Sequence, residues 1–199
     1  MRIEILGSES LGVRGLCCVV ETNDRKVVID PGVALGFRRH GLLPHPVQVV
    51  ASERTKKKIE KALENATDVV ISHYHGDHIP LADANPYQLS VERVAEALKY
   101  PRLWMKGIAG LSLNQAYRAR ALAKRLNRSF PVAEGKVDGP LSFSLPVPHG
   151  EVDSRGGNVM MTRIEDGSDV FVHASDIQML NDEAIERILM WQPTMVLAS

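Results

Sequence analysis

The chain has 199 residues, 44% apolar and 24% charged, with Lys+Arg and Asp+Glu equal at 24 each. That length and composition fit one globular domain with a full two-layer core. The cancelling charge excludes a general pull toward nucleic acid or anionic membrane, and no apolar run approaches the ~18 residues of a membrane span.

In chain order, Ile3–Leu6, Leu16–Glu21 and Lys26–Ile29 read as strands, with Asn23-Asp24 as a hairpin turn between the last two. The chain enters strand-like sequence at Arg2, which is no signal peptide, so a cytoplasmic protein without a membrane partner is expected. Cys17 and Cys18 are neighbours in a strand and point to opposite faces, which predicts two buried or half-buried thiols and no bond between them. Residues 31–50, rich in Pro and Gly, are expected as loop, with His40 and His45 exposed there. A helix is predicted over Glu53–Ala66, capped by Ser52, because Ile59, Ala62, Leu63 and Ala66 form one stripe.

The strand Asp68–Ser72 follows. From about 79 to 148 a helical insertion is expected, with helices near Ser90–Leu98 and Asn114–Asn127. Strands return at Leu141–Leu145, Val159–Ile164 and Val170–Ala174, before a helix over Asn181–Met190 and a strand over Met195–Ala198. Strands, a helical excursion, then strands and helices again predict an α/β domain over 1–199.

The most informative segment is His73-Tyr74-His75-Gly76-Asp77-His78, directly after an apolar strand. Imidazole and carboxylate suit zinc, iron or manganese, and a Gly-containing turn lets neighbouring side chains converge on one point. A solvated loop does not need three His and one Asp at this spacing.

This His-X-His-X-Asp-His pattern resembles the signature of the metallo-β-lactamase superfamily. Val27-Val28-Ile29-Asp30-Pro31-Gly32 resembles that family's early strand ending in Asp and Gly, Pro148-His149-Gly150 its loop with a further His ligand, and Ala174-Ser175-Asp176 its strand end with a bridging Asp. The segment Gly7–Gly15 with Pro31-Gly32-Val33-Ala34 looks closest to an uncharacterised archaeal intracellular branch, for which the resemblance implies a hydrolase and no particular substrate. The resemblance implies an αββα sandwich. It also implies one ion on His73, His75 and His149, a second begun by Asp77 and His78, and Asp176 bridging them, so one or two ions of zinc, iron or manganese. The family's second half ordinarily ends in another His. Here the last is His173, so the 199 residues are expected to be a fragment or shortened copy with an incomplete C-terminal part.

The chemistry that follows is attack of a metal-bound hydroxide on an ester, thioester, lactone or phosphodiester, with Asp77 as the catalytic carboxylate. Asp30 is expected to fix loops beneath the site through hydrogen bonds, and His173 to be a core residue. A competing feature is the basic side of the 114–128 helix, with Arg118, Arg120, Lys124, Arg125 and Arg128, which with Lys56-Lys57-Lys58 is a candidate for phosphate or RNA binding. No aromatic residues interleave with these cations, so a solvated helix face and a small-molecule or phosphodiester substrate are preferred to a nuclease. A non-catalytic metal or redox scaffold is the third reading. Substrate, metal identity and oligomeric state are not encoded legibly.

Overall fold

Side-chain alternation along short apolar strands sets the architecture. The structure is a computed structural model that describes residues 1–38, 40–151 and 156–199. β1 (Arg2–Gly7), β2 (Cys17–Glu21), β3 (Lys26–Ile29), β4 (Asp68–Ile71) and β5 (Arg102–Met105) form one sheet in that order. β1 to β3 are antiparallel, whereas β3, β4 and β5 run parallel. Next come β6 (Val137–Asp138) and β7 (Leu141–Phe143), the small pair β8 (Val147–Pro148) and β9 (Asn158–Val159), then β10 (Thr162–Asp166), β11 (Asp169–Ala174) and β12 (Met195–Ala198). The second sheet has the order β12-β11-β10-β7-β6.

Each face of each sheet has its own apolar cluster. Val28, Val69, Ile71 and Leu103 of the first sheet pack with Ile59 and Leu63 of α1 (Pro46–Leu63) and with Ala119 and Leu122 of α2 (Leu113–Leu126). The opposite face, with Val27, Ile29 and Val70, meets Leu141, Phe143, Ile164 and Phe171 of the second sheet. Behind that sheet, Val172 and Ala174 pack against Ala184 and Ile188 of α3 (Asp182–Met190). The layers are therefore helix, sheet, sheet, helix, as the resemblance implied. Cys17 and Cys18 are free and buried, one in the outer cluster and one between the sheets, as strand alternation requires. Burial pushes both thiols up. No helix among the described residues is long and apolar enough to cross a membrane.

Several expectations need correction. The helix predicted over Glu53–Ala66 starts at Pro46, inside the segment expected as loop, and the N-cap is His45, whose Nδ1 accepts the Val47 N–H at 3.2 Å. Proline at the first helical position is preset for the helix, so Pro46 marks its start. Ser52 is a buried residue of the helix interior and not its cap.

Nor is the 79–148 segment a helical insertion. It holds one α-helix, α2, while Ser90–Leu98 resolves into two 3-10 turns, Val91–Arg93 and Ala97–Lys99. On such a turn, residues three apart face the same way, which buries Val91 and Val94 together. The same segment supplies β5, overlooked because only Leu103 and Met105 carry its apolar face. The other face is anchored by polar contacts to the buried Asp68, whose Oδ1 accepts from Trp104 Nε1 at 2.8 Å and faces Arg102 Nε at 3.1 Å. The expected strand Val159–Ile164 is broken after Val159 and resumes at Thr162.

The approach of the β3 exit to the His motif is what positions the site. A Cβ on Gly32 would lie 2.3 Å from both the His78 carbonyl carbon and the Ile79 nitrogen. Backbone cannot yield as a flexible side chain can, so Gly32→Ala should cost about 1–3 kcal/mol by overpacking, a fall in melting temperature of roughly 2–12 °C at this chain length. Thermal denaturation of the variant checks this. An unchanged midpoint would mean that the two loops are not in tight contact.

Candidate metal centre

Strand ends build the centre. β4 ends at Ile71, and Ser72 and His73 continue straight from it. β3, parallel to β4, ends beside them and delivers Asp30, whose N–H donates to Val70 O at 2.9 Å. β11 delivers Ser175 and Asp176, and β12 delivers Ser199. His149 follows β8, and its N–H donates to Gly157 O at 2.8 Å. Asp30 and Asp176 both have left-handed backbone, with φ of 49° and 56°, a conformation that Asp adopts more readily than most residues.

Around Asp176 the geometry is tight. Its Oδ2 lies 3.0 Å from His149 Nε2, 3.3 Å from His73 Nε2, 3.4 Å from His78 Nε2 and 3.8 Å from His75 Nδ1. Burial opposes its ionisation, but the imidazoles gathered round it, His149 foremost, hold the carboxyl far below the usual carboxylate range. The other oxygen is held from behind. Asp176 Oδ1 accepts from Ser199 Oγ at 3.0 Å and from Ser175 Oγ at 3.3 Å, while the Asp176 N–H donates to Ser199 Oγ at 2.9 Å.

Beneath the cluster, Asp30 is fully buried. Its Oδ1 accepts from Ser72 N at 2.7 Å, and its Oδ2 accepts from Ser72 Oγ at 2.6 Å and faces His78 Nδ1 at 3.1 Å. Burial alone would raise its pKa, but His78 pulls it below the usual value. The expectation that Asp30 ties loops beneath the site therefore matches the contacts it makes.

This network sets a tautomer. Ser72 spends its hydroxyl proton on Asp30, so its oxygen must accept from His73 Nδ1–H, 2.9 Å away. His73 Nε2 is left as a bare lone pair, buried and without a hydrogen-bond partner, facing the Asp176 carboxylate. Burial and the neighbouring His78 push the His73 pKa down to about 4, so no proton fills the gap near neutrality. Two acceptors 3.3 Å apart repel unless a cation stands between them. The donor set fits a divalent metal, since His73, His75, His149 and Asp176 present ligand atoms all within 4.8 Å of one another.

His78 approaches Asp176 and also stacks beside His73, with ring centroids 4.2 Å apart. Asp77 Oδ2 sits 3.9 Å from His78 Nε2 and 3.5 Å from an Arg14 nitrogen. It falls outside both clusters with close-set donors, of which the second is Asp30, His73 and His78. Burial disfavours a charged His78, yet Asp176 and Asp30 lift its pKa well above the imidazole range. The centre opens into a cleft of about 980 Å³ bordered by Arg14, His75, Asp77, His78, His149 and Asp176. His173 is buried in the core and contacts Leu16 O through Nε2 at 2.9 Å, and His40 and His45 are exposed.

Sequence reasoning missed Ser72, Ser175, Ser199 and Arg14 as site residues. Adjacency to His73 and Asp176 was a signal for the first two. Nothing local marks Ser199 or Arg14, which arrive through tertiary contacts.

Comparison with known proteins identifies the family. Residues 12–178 match the family described as the metallo-beta-lactamase superfamily. A UPF0282 protein of Methanosarcina mazei is 50% identical over 199 residues, covering 100% of this chain and 65% of that protein. A UPF0282 protein of Thermococcus gammatolerans is 38% identical over 206 residues, covering 99% and 69%. The chain thus spans about two thirds of the length of these relatives. Among solved structures, an isothiocyanate hydrolase from Delia radicum gut bacteria superposes with a TM-score of 0.55 at 14% identity, over 92% of this chain and 68% of that one, a likeness of fold. The chain belongs to the metallo-beta-lactamase superfamily and, among its members, with the archaeal UPF0282 proteins.

Proposed function

We propose that the chain is a metal-dependent hydrolase of an ester, thioester, lactone or phosphodiester, with zinc, iron or manganese on His73, His75 and His149. Membership of a superfamily of metal-dependent hydrolases supports the reaction class. The observation that carries the reading is the buried His73 Nε2, which has no hydrogen-bond partner and stands 3.3 Å from Asp176 Oδ2 within the close-set donors of His73, His75, His149 and Asp176. A divalent ion there supplies Lewis acidity and a hydroxide nucleophile at a pH of about 7.

The chain's own groups supply the rest. Asp30 and Ser72 lock the His73 ring, and such outer partners typically contribute about 10–100-fold in metal affinity. Asp176 would bridge the ion on the three His to a second one, since His78 also reaches its Oδ2, at 3.4 Å. Asp77 borders the cleft as an acceptor, placed to orient a nucleophile's proton and to ligate a second ion beside His78. Arg14, within 3.5 Å of Asp77, sets a positive charge at the cleft wall.

A small substrate is favoured over long RNA by the engagement of the basic residues. Arg128 Nη1 donates to the carbonyls of Leu98, Lys99 and Pro101, Arg125 pairs with Glu92 at 2.9 Å, and Arg118 Nη1 donates to Tyr74 O at 3.3 Å. Lys56 is buried, with its Nζ on Pro86 O at 2.9 Å. These contacts reduce the phosphate-binding face foreseen on the sequence.

Two outcomes follow. Replacing His73, His75 and His149 together by Ala should abolish tight metal binding with unchanged far-UV circular dichroism, as elemental analysis would show. Metal kept at wild-type stoichiometry would remove these residues from the centre. Asp77→Asn should lower hydrolysis by at least about 100-fold while the three-His ion stays bound, because the amide nitrogen neither accepts a proton nor ligates. Activity within threefold of wild type would take Asp77 out of the mechanism.

A further inference from the structure

Beside the cleft lies a second cavity of about 470 Å³, within the range of roughly 300–1,000 Å³ of small-molecule pockets. It is walled by Leu35, Leu42, Leu43 and Gln48, and it shares Glu9 and Arg14 with the metal-centre cleft. The two spaces adjoin at Glu9 and Arg14, which line both. Arg14 is fixed by its backbone, with Arg14 N donating to Ala34 O at 2.9 Å and Ala34 N returning to Arg14 O at 3.1 Å. Leu42 and Leu43 are 72% and 56% exposed, on the loop whose end is set by His45 and Pro46 capping α1. Neighbouring large apolar side chains left in water beside a polar neck mark a binding surface.

We infer that this cavity is the substrate's side pocket. It takes an apolar arm, an alkyl or acyl chain of several carbons, of an ester- or lactone-type substrate whose reacting group lies at His75 and Asp176. Arg14 lies between the leucine-lined end and the end at Asp77, so the substrate is amphipathic, with its polar head toward Asp77. This deepens the hydrolase reading and rests on it.

The test separates the two ideas by measuring binding instead of turnover. Alkyl hydroxamates carry a metal-binding head and a variable arm. Calorimetric titration of the zinc-loaded chain with acetohydroxamate, butyro-, hexano- and octanohydroxamate reads the pocket. Affinity should rise with arm length, by up to about fourfold per methylene for full burial and at least about tenfold over the series. In Leu42→Gln/Leu43→Gln the gain should shrink to under about threefold while acetohydroxamate binds as before, because both leucines are exposed and substitution there costs little folding energy. Equal affinity along the wild-type series overturns the pocket and leaves the metal centre standing. A chain-length gain unchanged in the double variant overturns it too, and turns the leucines into a surface for another macromolecule. Failure of acetohydroxamate to bind, with no zinc retained, overturns the hydrolase reading and the pocket with it.

Discussion

A carboxylate at the floor of the cleft, facing a buried imidazole nitrogen that has no hydrogen-bond partner, is the constraint around which this molecule is arranged. Asp176 Oδ2 and His73 Nε2 stand 3.3 Å apart with nothing between them to donate. Burying either group unpaired costs free energy, and two acceptors turned toward each other cost more. A proton on His73 would relieve the clash, but burial and His78 keep that proton off near neutrality. A cation relieves it without protonating anything. His149, His75 and His78 all turn nitrogens to the same Asp176 oxygen, and His73, His75, His149 and Asp176 present donor atoms within 4.8 Å of one another.

Holding that arrangement in place falls to groups that never touch the centre's middle. Asp30 connects the end of β3, the end of β4 and the ring of His78 through three contacts between 2.6 and 3.1 Å. Ser175 and Ser199 do the same for Asp176, each from a different strand of the second sheet. The left-handed backbone at Asp30 and Asp176 turns each chain off its strand and aims the carboxylate inward. Gly32 completes the fit, since its hydrogen is all that separates the β3 exit from the backbone of the His motif.

How much of this was legible depends on the range of the interaction. The ligand-type residues were readable because the motif is local: His73, His75, Asp77 and His78 lie within six residues after an apolar strand. The four layers were readable through alternation and through the superfamily resemblance, and Cys17 and Cys18 do fall on opposite faces. Long-range partners were not readable. Ser199 reaches Asp176 across 23 residues, and Arg14 meets Asp77 through the packing of two loops. Two local errors had local causes. Pro46 was read as loop composition when it was a helix start, and β5 was hidden because half of its four residues carry polar contacts to Asp68.

The ligand-type residues come from separate parts of the fold: His73 to His78 from the first sheet, Asp176 from the second, His149 from the loop beyond β8. An ion held by all three would cross-link the two sheets at the strand ends. Its binding free energy would then add to folding in proportion to how far the ion concentration exceeds its dissociation constant. In that account the buried network of Asp30, Ser72 and His73 is tolerable because the ion would satisfy His73 Nε2, which the network leaves without a partner. Stability and function then draw on the same contact, so a change that loosens Asp30 or Asp176 weakens the fold and the centre together.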